Sequence, residues 1–309
     1  MNRREFLLAA PIAVARLKAR ASPGSERERS QSLTSEGWRI FDVTTHVHVQ
    51  NPSGTTRVWL PTPIVGAPYQ QTLGDTYNAE HGRVVMVESE ELDLLLAEWT
   101  DAADPVLELT SRVATRPYAV DLAKPVVEPP ADFAAFARFL RPTKLHAVDG
   151  AVKKLAMDVT RGAGTDIDRA RAIFEWLVRG GATVCGLAGP QCSDRSTLFT
   201  ALARAAGIPA RVLFGLRLAA ADATKAHHTR SEVYLTGFGW APLDPTSGTF
   251  GSWDGNWIAF NMAQDVPLPK SKHGVLPFFM HPQAESANGF ANALDAAAFR
   301  YDIRVRESA

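Results

Sequence analysis

One stretch of the chain constrains its fold more than any other, because a turn, a helix, a strand and a hairpin follow one another over residues 189–246. It begins as GPQCSDRSTLFTALARAAGIPAR, and Gly207 ends the helix. An apolar stripe at helical spacing marks one face of that helix and is formed by Leu198, Phe199, Leu202 and Ala206. An extended run follows, and HHTRSEVYLTGFGWAPLDPTSG predicts two strands joined by a glycine-containing turn. The sequence therefore predicts a helix next to an antiparallel hairpin.

Three residues of this stretch can carry nucleophilic chemistry. Cys192 is predicted to begin the helix, where the helix dipole lowers the pKa of a thiol and free backbone N–H groups can hold an oxyanion. His228 lies on the first strand of the hairpin and Asp244 on the second. Their separation of 16 residues is even, which is compatible with side chains on one face. The pattern predicts a thiol nucleophile, a base and a carboxylate that orients the base.

Neighbouring residues leave alternatives open. His227 could serve as the base, although strand alternation directs it to the opposite face. Gln191 and Trp176 are candidate oxyanion donors. Cys185 fits a small buried side chain, a disulfide partner for Cys192 or, less readily, the nucleophile itself. No spacing of histidine, cysteine or carboxylate residues suggests a metal site, so we expect neither metal nor cofactor.

The rest of the chain predicts a second, β-rich region. Residues 36–125 contain short alternating runs punctuated by prolines, which favours an antiparallel β-sandwich. Trp59 and Trp99 are expected in its core. Residues 126–309 would form the helix-and-hairpin domain and a C-terminal extension, so the predicted class is α+β.

Charge is distributed unevenly although 33 basic and 33 acidic residues balance. Residues 1–21 hold a net charge of +4, with Arg3-Arg4 ahead of a short apolar run and a small-residue cleavage signal ending at Ala21. This segment resembles a twin-arginine export signal. It predicts a periplasmic or otherwise exported protein with a polar linker over residues 22–35. The remaining chain has a net charge of −4, so we expect no nucleic-acid partner. After residue 21 no stretch approaches 18 continuous apolar residues, so we also expect no membrane-spanning anchor.

The motif GPQCSDRSTLFTALARAAGIPAR followed by HHTRSEVYLTGFGWAPLDPT resembles the transglutaminase-like superfamily, whose members are relatives of papain-type thiol enzymes. The resemblance covers about residues 166–246, and the whole mature chain, including its tail GNWIAFNMAQDVPLP…PFFMHPQAE, is similar to a bacterial subgroup with a β domain in front. It implies Cys192 as nucleophile, His228 as base and Asp244 as orienting carboxylate. Arg230 departs from the pattern, because relatives commonly carry an aromatic residue there.

The resemblance implies an enzyme that forms a thioester with a peptide, protein or cell-wall peptide. Water as the acceptor would make it a peptidase or amidase, and an amine would make it a transglutaminase. The sequence leaves this partition and the oligomeric state open. A catalytically silent peptide- or cell-wall-binding module is the alternative from another functional class.

Overall fold

The structure is a computed structural model and describes residues 37–64, 66–100, 104–125, 133–181, 194–292 and 297–308. Its class is α+β, as predicted. The α-helices of the described chain are α1 (Gly150–Val159), α2 (Asp166–Val178) and α3 (Arg195–Ala205), preceded by a 3₁₀ helix over Phe133–Phe139. The strands, in chain order, are β1 (Arg39–Val49), β2 (Thr56–Pro61), β3 (Gly66–Ala67), β4 (Gln70–Asn78), β5 (Arg83–Val87), β6 (Leu94–Trp99), β7 (Val106–Thr115), β8 (Tyr118–Ala119), β9 (Ala210–Arg217), β10 (His227–Leu235), β11 (Gly239–Asp244), β12 (Thr249–Phe250), β13 (Ser252–Trp253), β14 (Trp257–Asn261), β15 (Gln264–Pro267), β16 (Val275–Phe278), β17 (Gln283–Ser286), β18 (Gly289–Asn292) and β19 (Phe299–Ser308).

The β-rich region is built from two antiparallel five-stranded sheets. One has the order β19-β1-β7-β4-β3, and the other has the order β18-β17-β2-β6-β5. Side chains from both sheets form one buried cluster, which includes Val47 of β1, Val58 of β2, Trp99 of β6 and Leu107 of β7. The sheets therefore pack on each other as a sandwich. Trp59 and Trp99 are both buried, as the sequence predicts.

The C-terminal extension joins the two N-terminal sheets rather than the helix-and-hairpin region. β19 pairs with β1 along ten residues, from Ile40 opposite Ser308 to Val49 opposite Phe299. β17 pairs with β2, and β18 pairs with β17. The last strands of the chain thus complete the N-terminal sheets, although the sequence predicts a boundary near residue 125 with all later residues in one domain.

The functional region is a third sheet, with the order β12-β11-β10-β9-β14, and the helices pack against it. β10 is the central strand and pairs antiparallel with β9 on one side and β11 on the other. The predicted hairpin is present, and the predicted helix ends at Ala205 with Gly207 at φ +82°. Gly207 thus supplies the left-handed residue that ends a helix.

The start of α3 differs from the prediction. The helix begins at Arg195, and Asp194 is its N-cap, with extended backbone at φ −91° and ψ 110°. The Asp194 carboxylate accepts the Ser196 N–H, which satisfies one of the free donors of the first turn. Cys192, which the sequence predicts at the start of this helix, lies outside the described residues.

The sandwich and the third sheet share an apolar contact. Phe41 and Val113 of the sandwich cluster with Leu216 of β9 and with Ile258 of β14. Within the described residues, no helix has the length and apolarity needed to cross a membrane.

Candidate active site

His228 and Asp244 meet at the end of the β10–β11 hairpin. The register places Ser231 opposite Leu243, so the diagonal relation of residues 228 and 244 puts both side chains on one face. His228 Nε2 lies 2.7 Å from Asp244 Oδ2. The two side chains thus share a face, as the even separation predicts, and an ionised Asp244 accepts a hydrogen bond from His228 Nε2–H.

Asp244 is held in its charged form although its side chain is fully buried. Burial by itself raises the pKa of a carboxyl, but the hydrogen bond and charge of His228 outweigh burial and bring the pKa of Asp244 below its ordinary value. The Thr246 N–H, 2.9 Å from Oδ1, and the Arg230 cation act in the same direction. Asp244 can therefore fix the tautomer of His228 and stabilise its imidazolium form.

Arg230 lies on the same face of β10 and links Asp244 to a second carboxylate. Its side chain is 7% exposed, with Nε 3.6 Å from Asp244 Oδ2 and Nη2 2.9 Å from Asp254 Oδ1. The guanidinium also lies over two indole rings, 5.6 Å from that of Trp253 and 5.1 Å from that of Trp257. The departure from the family pattern thus places a cation where an aromatic side chain is common, and the cation packs on aromatic rings of neighbouring strands.

The backbone of His228 is held by a hydrogen bond from Trp257. The Trp257 indole N–H donates to the His228 carbonyl at 3.1 Å. Gly215 is paired with His228 across β9 and allows this approach, because a Cβ there would lie 2.5 Å from the Trp257 ring and 2.0 Å from the Ile258 carbonyl oxygen. A glycine is therefore required at position 215 for the histidine to be supported in this way.

Arg217 also lies beside the His228 ring. Arg217 Nη2 lies 3.1 Å from Nε2 and 3.4 Å from Nδ1 of His228, and the arginine is exposed. With Nε2 hydrogen-bonded to Asp244, Nδ1 is the nitrogen whose lone pair is available to take a proton.

A cluster of hydrogen bonds joins the start of α3 to β10, one residue from His228. Asp194 Oδ2 accepts from the Thr197 hydroxyl at 2.6 Å and also from the Thr229 hydroxyl. In return, the Ser196 hydroxyl donates to the Thr229 carbonyl at 3.1 Å. We refer to Asp194, Ser196, Thr197 and Thr229 as the clasp. The clasp thus ties the start of α3 to the strand that carries His228.

His227 points away from Asp244, as strand alternation predicts. Its ring packs at a tilt against that of His281, with ring centroids 4.0 Å apart and 48° between the planes, and the Tyr301 ring lies 6.3 Å away. Burial, together with the nearby His281, lowers the pKa of His227 to about 3. His227 is therefore a neutral, packed ring at ordinary pH, and it does not share the carboxylate of His228.

Of the remaining predicted site residues, only Trp176 lies in the described part of the chain. Cys192, Gln191 and Cys185 lie outside the described residues. Trp176 is on α2 and packs against the helical core, with its ring close to Gly181. The structure thus brings His228 and Asp244 together and places a half-buried Trp176 against the helical core cluster.

Sequence reasoning missed the clasp and the bridge from Arg230 to Asp254. Asp194 is itself a residue type preferred at a helix N-cap, and this is the sequence signal that could have located the start of α3. Thr229 and Asp254 gave no such signal, because their partners are distant in the sequence.

Comparison with known proteins is consistent with this geometry. Residues 153–245 match the family model described as the transglutaminase-like superfamily, a range that contains Cys192, His228 and Asp244. An uncharacterized protein of Haemophilus influenzae is 26% identical over 362 aligned residues, which cover 94% of this chain and 97% of the relative. A candidate cysteine protease from Cytophaga hutchinsonii shares the fold with a TM-score of 0.56 and 17% identity, over 88% of this chain and 90% of that one. This chain therefore carries a domain of the transglutaminase-like superfamily at residues 153–245.

Proposed function

We propose that the protein is a thiol enzyme that cleaves or transfers acyl groups of peptides, with Cys192 as nucleophile, His228 as base and Asp244 as orienting carboxylate. The observation that carries the proposal is the 2.7 Å bond between His228 Nε2 and a buried Asp244, beside a clasped helix terminus. A base that becomes cationic during a reaction requires a carboxylate that orients its ring and balances its charge, and Asp244 is placed for both.

The reaction would proceed in two balanced steps. The Cys192 thiol gives its proton to His228 Nδ1, and its sulfur attacks the amide carbonyl carbon to form a tetrahedral oxyanion. The C–N bond then breaks as His228 returns the proton to the departing amine, which leaves a thioester. Water or a primary amine attacks that thioester while His228 takes its proton, and the C–S bond breaks to restore the thiol.

Arg230 would act as a positioning residue for this chemistry. Its charge stabilises Asp244 as a carboxylate, and its hydrogen bond to Asp254 holds the guanidinium in place. Backbone N–H groups ahead of α3 would supply the oxyanion donors, with Gln191 as a candidate side-chain donor and Trp176 a weaker one given its place in the core.

The pH dependence of Cys192 alkylation tests the assignment. Iodoacetamide labelling of the wild-type protein, located by peptide mass spectrometry, should titrate well below the ordinary cysteine pKa of about 8.5. His228→Gln should return the titration towards that value, and Cys185→Ala should leave it in place. Slow labelling that titrates like a free thiol in the folded wild-type protein would contradict the enzyme and favour the silent binding module.

The acyl donor is found by trapping. The wild-type protein, incubated with mixed peptides and a cell-wall extract and then acidified, should carry a thioester mass on Cys192 that is absent from Cys192→Ala. Hydroxylamine should release that mass. Addition of a primary amine before acidification separates transamidation from hydrolysis, because only transamidation yields the amine adduct of the donor.

We also propose that the enzyme is exported by the twin-arginine route, on the basis of residues 1–21, which lie outside the described residues. Replacement of Arg3 and Arg4 by lysine should retain the precursor in the cytoplasm. The wild-type protein should be found outside it with a new N-terminus at Ser22, and an uncleaved exported chain would contradict the predicted site.

A further inference from the structure

A cavity of about 300 Å³ lies beside His228 and has two unlike walls. One wall is apolar and consists of Leu145, Phe214, Phe278 and Met280. The other wall is polar and includes His228 and Thr229. The cavity thus adjoins the proposed base directly.

The apolar wall is built from three separate parts of the chain. Phe214 belongs to β9 and stacks on Phe278 of β16, with ring centroids 5.2 Å apart and an angle of 21° between the planes. Leu145 and Phe214 are almost fully buried, whereas Phe278 and Met280 are half-buried and keep surface available to the cavity. The buried Leu145 and Phe214 thus support two accessible apolar side chains, which suits this wall to contact with another apolar group.

Most of this wall lies outside the matched family domain. Leu145 precedes residues 153–245, and Phe278 and Met280 follow them. The domain therefore supplies His228 and the clasp, and the flanking segments supply the apolar surface. This division separates the residues of the chemistry from those that can select a substrate.

The charge of the lining does not favour an ionic ligand. Asp194 already accepts hydrogen bonds within the clasp, and the ring of His227 is neutral at ordinary pH. Among the described residues that line the cavity, none is a lysine or an arginine. An acidic side chain would find no cation in this lining, and a basic one would find a carboxylate whose oxygens are occupied.

We infer that this cavity is the subsite for an aliphatic or aromatic side chain of the acyl donor, next to the amide that Cys192 attacks. The inference rests on the function proposed above and extends it to the substrate class: peptides with a leucine, phenylalanine or similar residue beside the scissile bond. The volume lies at the lower end of ligand sites, roughly 300–1,000 Å³, and suits one large side chain. The polar wall, with the Thr229 and Thr246 hydroxyls, lines the route of the peptide backbone.

Thiol-reactive peptides test the subsite without knowledge of the natural donor. The probes are N-acetyl-glycyl-Xaa chloromethyl ketones with Xaa leucine, phenylalanine, alanine or aspartate, so that the varied side chain belongs to the residue beside the reacting carbonyl. In each, the Cys192 thiolate forms a C–S bond and chloride leaves. Each rate constant is divided by the iodoacetamide rate constant of the same variant, so that a change in thiol reactivity cancels. The leucine and phenylalanine probes should react at least about tenfold faster than the alanine and aspartate probes.

Two substitutions of the wall and one matched control assign the preference to the cavity. Met280→Trp should fill the space and abolish the preference, and Phe278→Ala should reduce it by removing contact surface. Met157→Trp makes the same exchange on an exposed face of α1, where Met157 is 61% exposed, and should leave the preference intact. Thermal denaturation shows that each variant is folded.

The outcomes distinguish the inference from the proposed function. Rapid iodoacetamide labelling of Cys192 with no preference among the probes, or with a preference for aspartate, would overturn the subsite and leave the thiol enzyme in place. A preference that survives Met280→Trp in the folded protein would also overturn it, because the selecting surface would then lie elsewhere. An unreactive Cys192 would overturn both.

Discussion

Two clusters of charged side chains lie on the same face of β10, and they differ in what they can do. At one end, Glu232 is paired across the sheet with Arg211, whose Nε lies 2.6 Å from Oε2 of the glutamate, and whose guanidinium lies 4.2 Å from the Trp240 ring. At the other end, His228, Asp244 and Arg230 also combine a carboxylate, an arginine and tryptophan rings.

The difference is that the His228 end holds a histidine–carboxylate pair beside a cavity, whereas the other end holds an arginine–glutamate pair. At that other end, burial and the Glu232 charge raise the pKa of Tyr69 well above its ordinary value. That end is closed and structural. Similar residue types therefore give a stabilising pair in one place and candidate machinery in the other, and the two can be separated by experiment.

Asp244→Asn should have the largest effect on activity. The amide can still meet His228 Nε2, but it no longer enforces the tautomer or stabilises the imidazolium, so turnover of the trapped donor should fall by about 10³-fold. Arg230 keeps Asp254 as a partner, so we expect the fold to persist. The measurement is steady-state turnover alongside a urea denaturation curve. Full turnover in Asp244→Asn would remove Asp244 from the machinery.

Glu232→Gln makes the same carboxylate-to-amide exchange at the structural end and should show the reverse pattern. Loss of one member of a buried ion pair leaves the Arg211 charge poorly compensated, and we expect roughly 3 kcal/mol less free energy of unfolding. The rate of Cys192 alkylation, expressed relative to that of the wild-type protein, should change little at urea concentrations below the unfolding transition. If Glu232→Gln lowered reactivity as much as Asp244→Asn, the two ends would form one functional unit.

The pairing of His228 with Asp244 was predictable because it depends on local register. The turn between β10 and β11 sets which residues face each other, so an even separation translates directly into a shared face. The same holds for Gly207 and for β1, whose alternation marks one buried side. These features need only residues that are near in the sequence.

The clasp and the C-terminal strands were not predictable for the opposite reason. Thr229 finds Asp194 only after α3 has docked on β10, and β19 pairs with β1 across most of the chain. The sequence also gives no clear signal for β4 and β6 individually. QQTLGDTYN shows no clean alternation, and LLLAEW is buried along most of its length, so neither strand has the period-two pattern of a half-exposed strand.

The opposite face of β10 should control stability in acid rather than reactivity. His227 has a folded pKa of about 3, whereas an unfolded histidine has an ordinary value of about 6.5. Between these values the unfolded chain binds a proton that the folded protein does not, so stability is full above about pH 6.5 and falls as the pH decreases.

His227→Gln should reduce that slope by up to about 1.4 kcal/mol per pH unit, measured by urea denaturation at several pH values between 4 and 7. The slope is the readout, because the substitution also changes packing against His281 at every pH. His273→Gln, which alters an exposed histidine stacked on Phe290, is the control and should keep the wild-type slope. An unchanged slope in His227→Gln would show that His227 binds its proton equally in both states.

The smallest effect is expected from the clasp, and it decides whether the helix terminus matters to the chemistry beyond its stability. Asp194→Ala removes a helix cap, which costs about 1 kcal/mol, and also removes the link to Thr229. Thr165→Ala is matched to it, because Thr165 caps α2 through the Asp168 N–H and has no bond to β10 among those described.

Both variants should lose similar stability in denaturation curves. Only Asp194→Ala should slow Cys192 alkylation at neutral pH, by several-fold, because only this substitution cuts the link between the start of α3 and the strand that carries His228. Equal alkylation rates in the two variants would reduce the clasp to an ordinary cap.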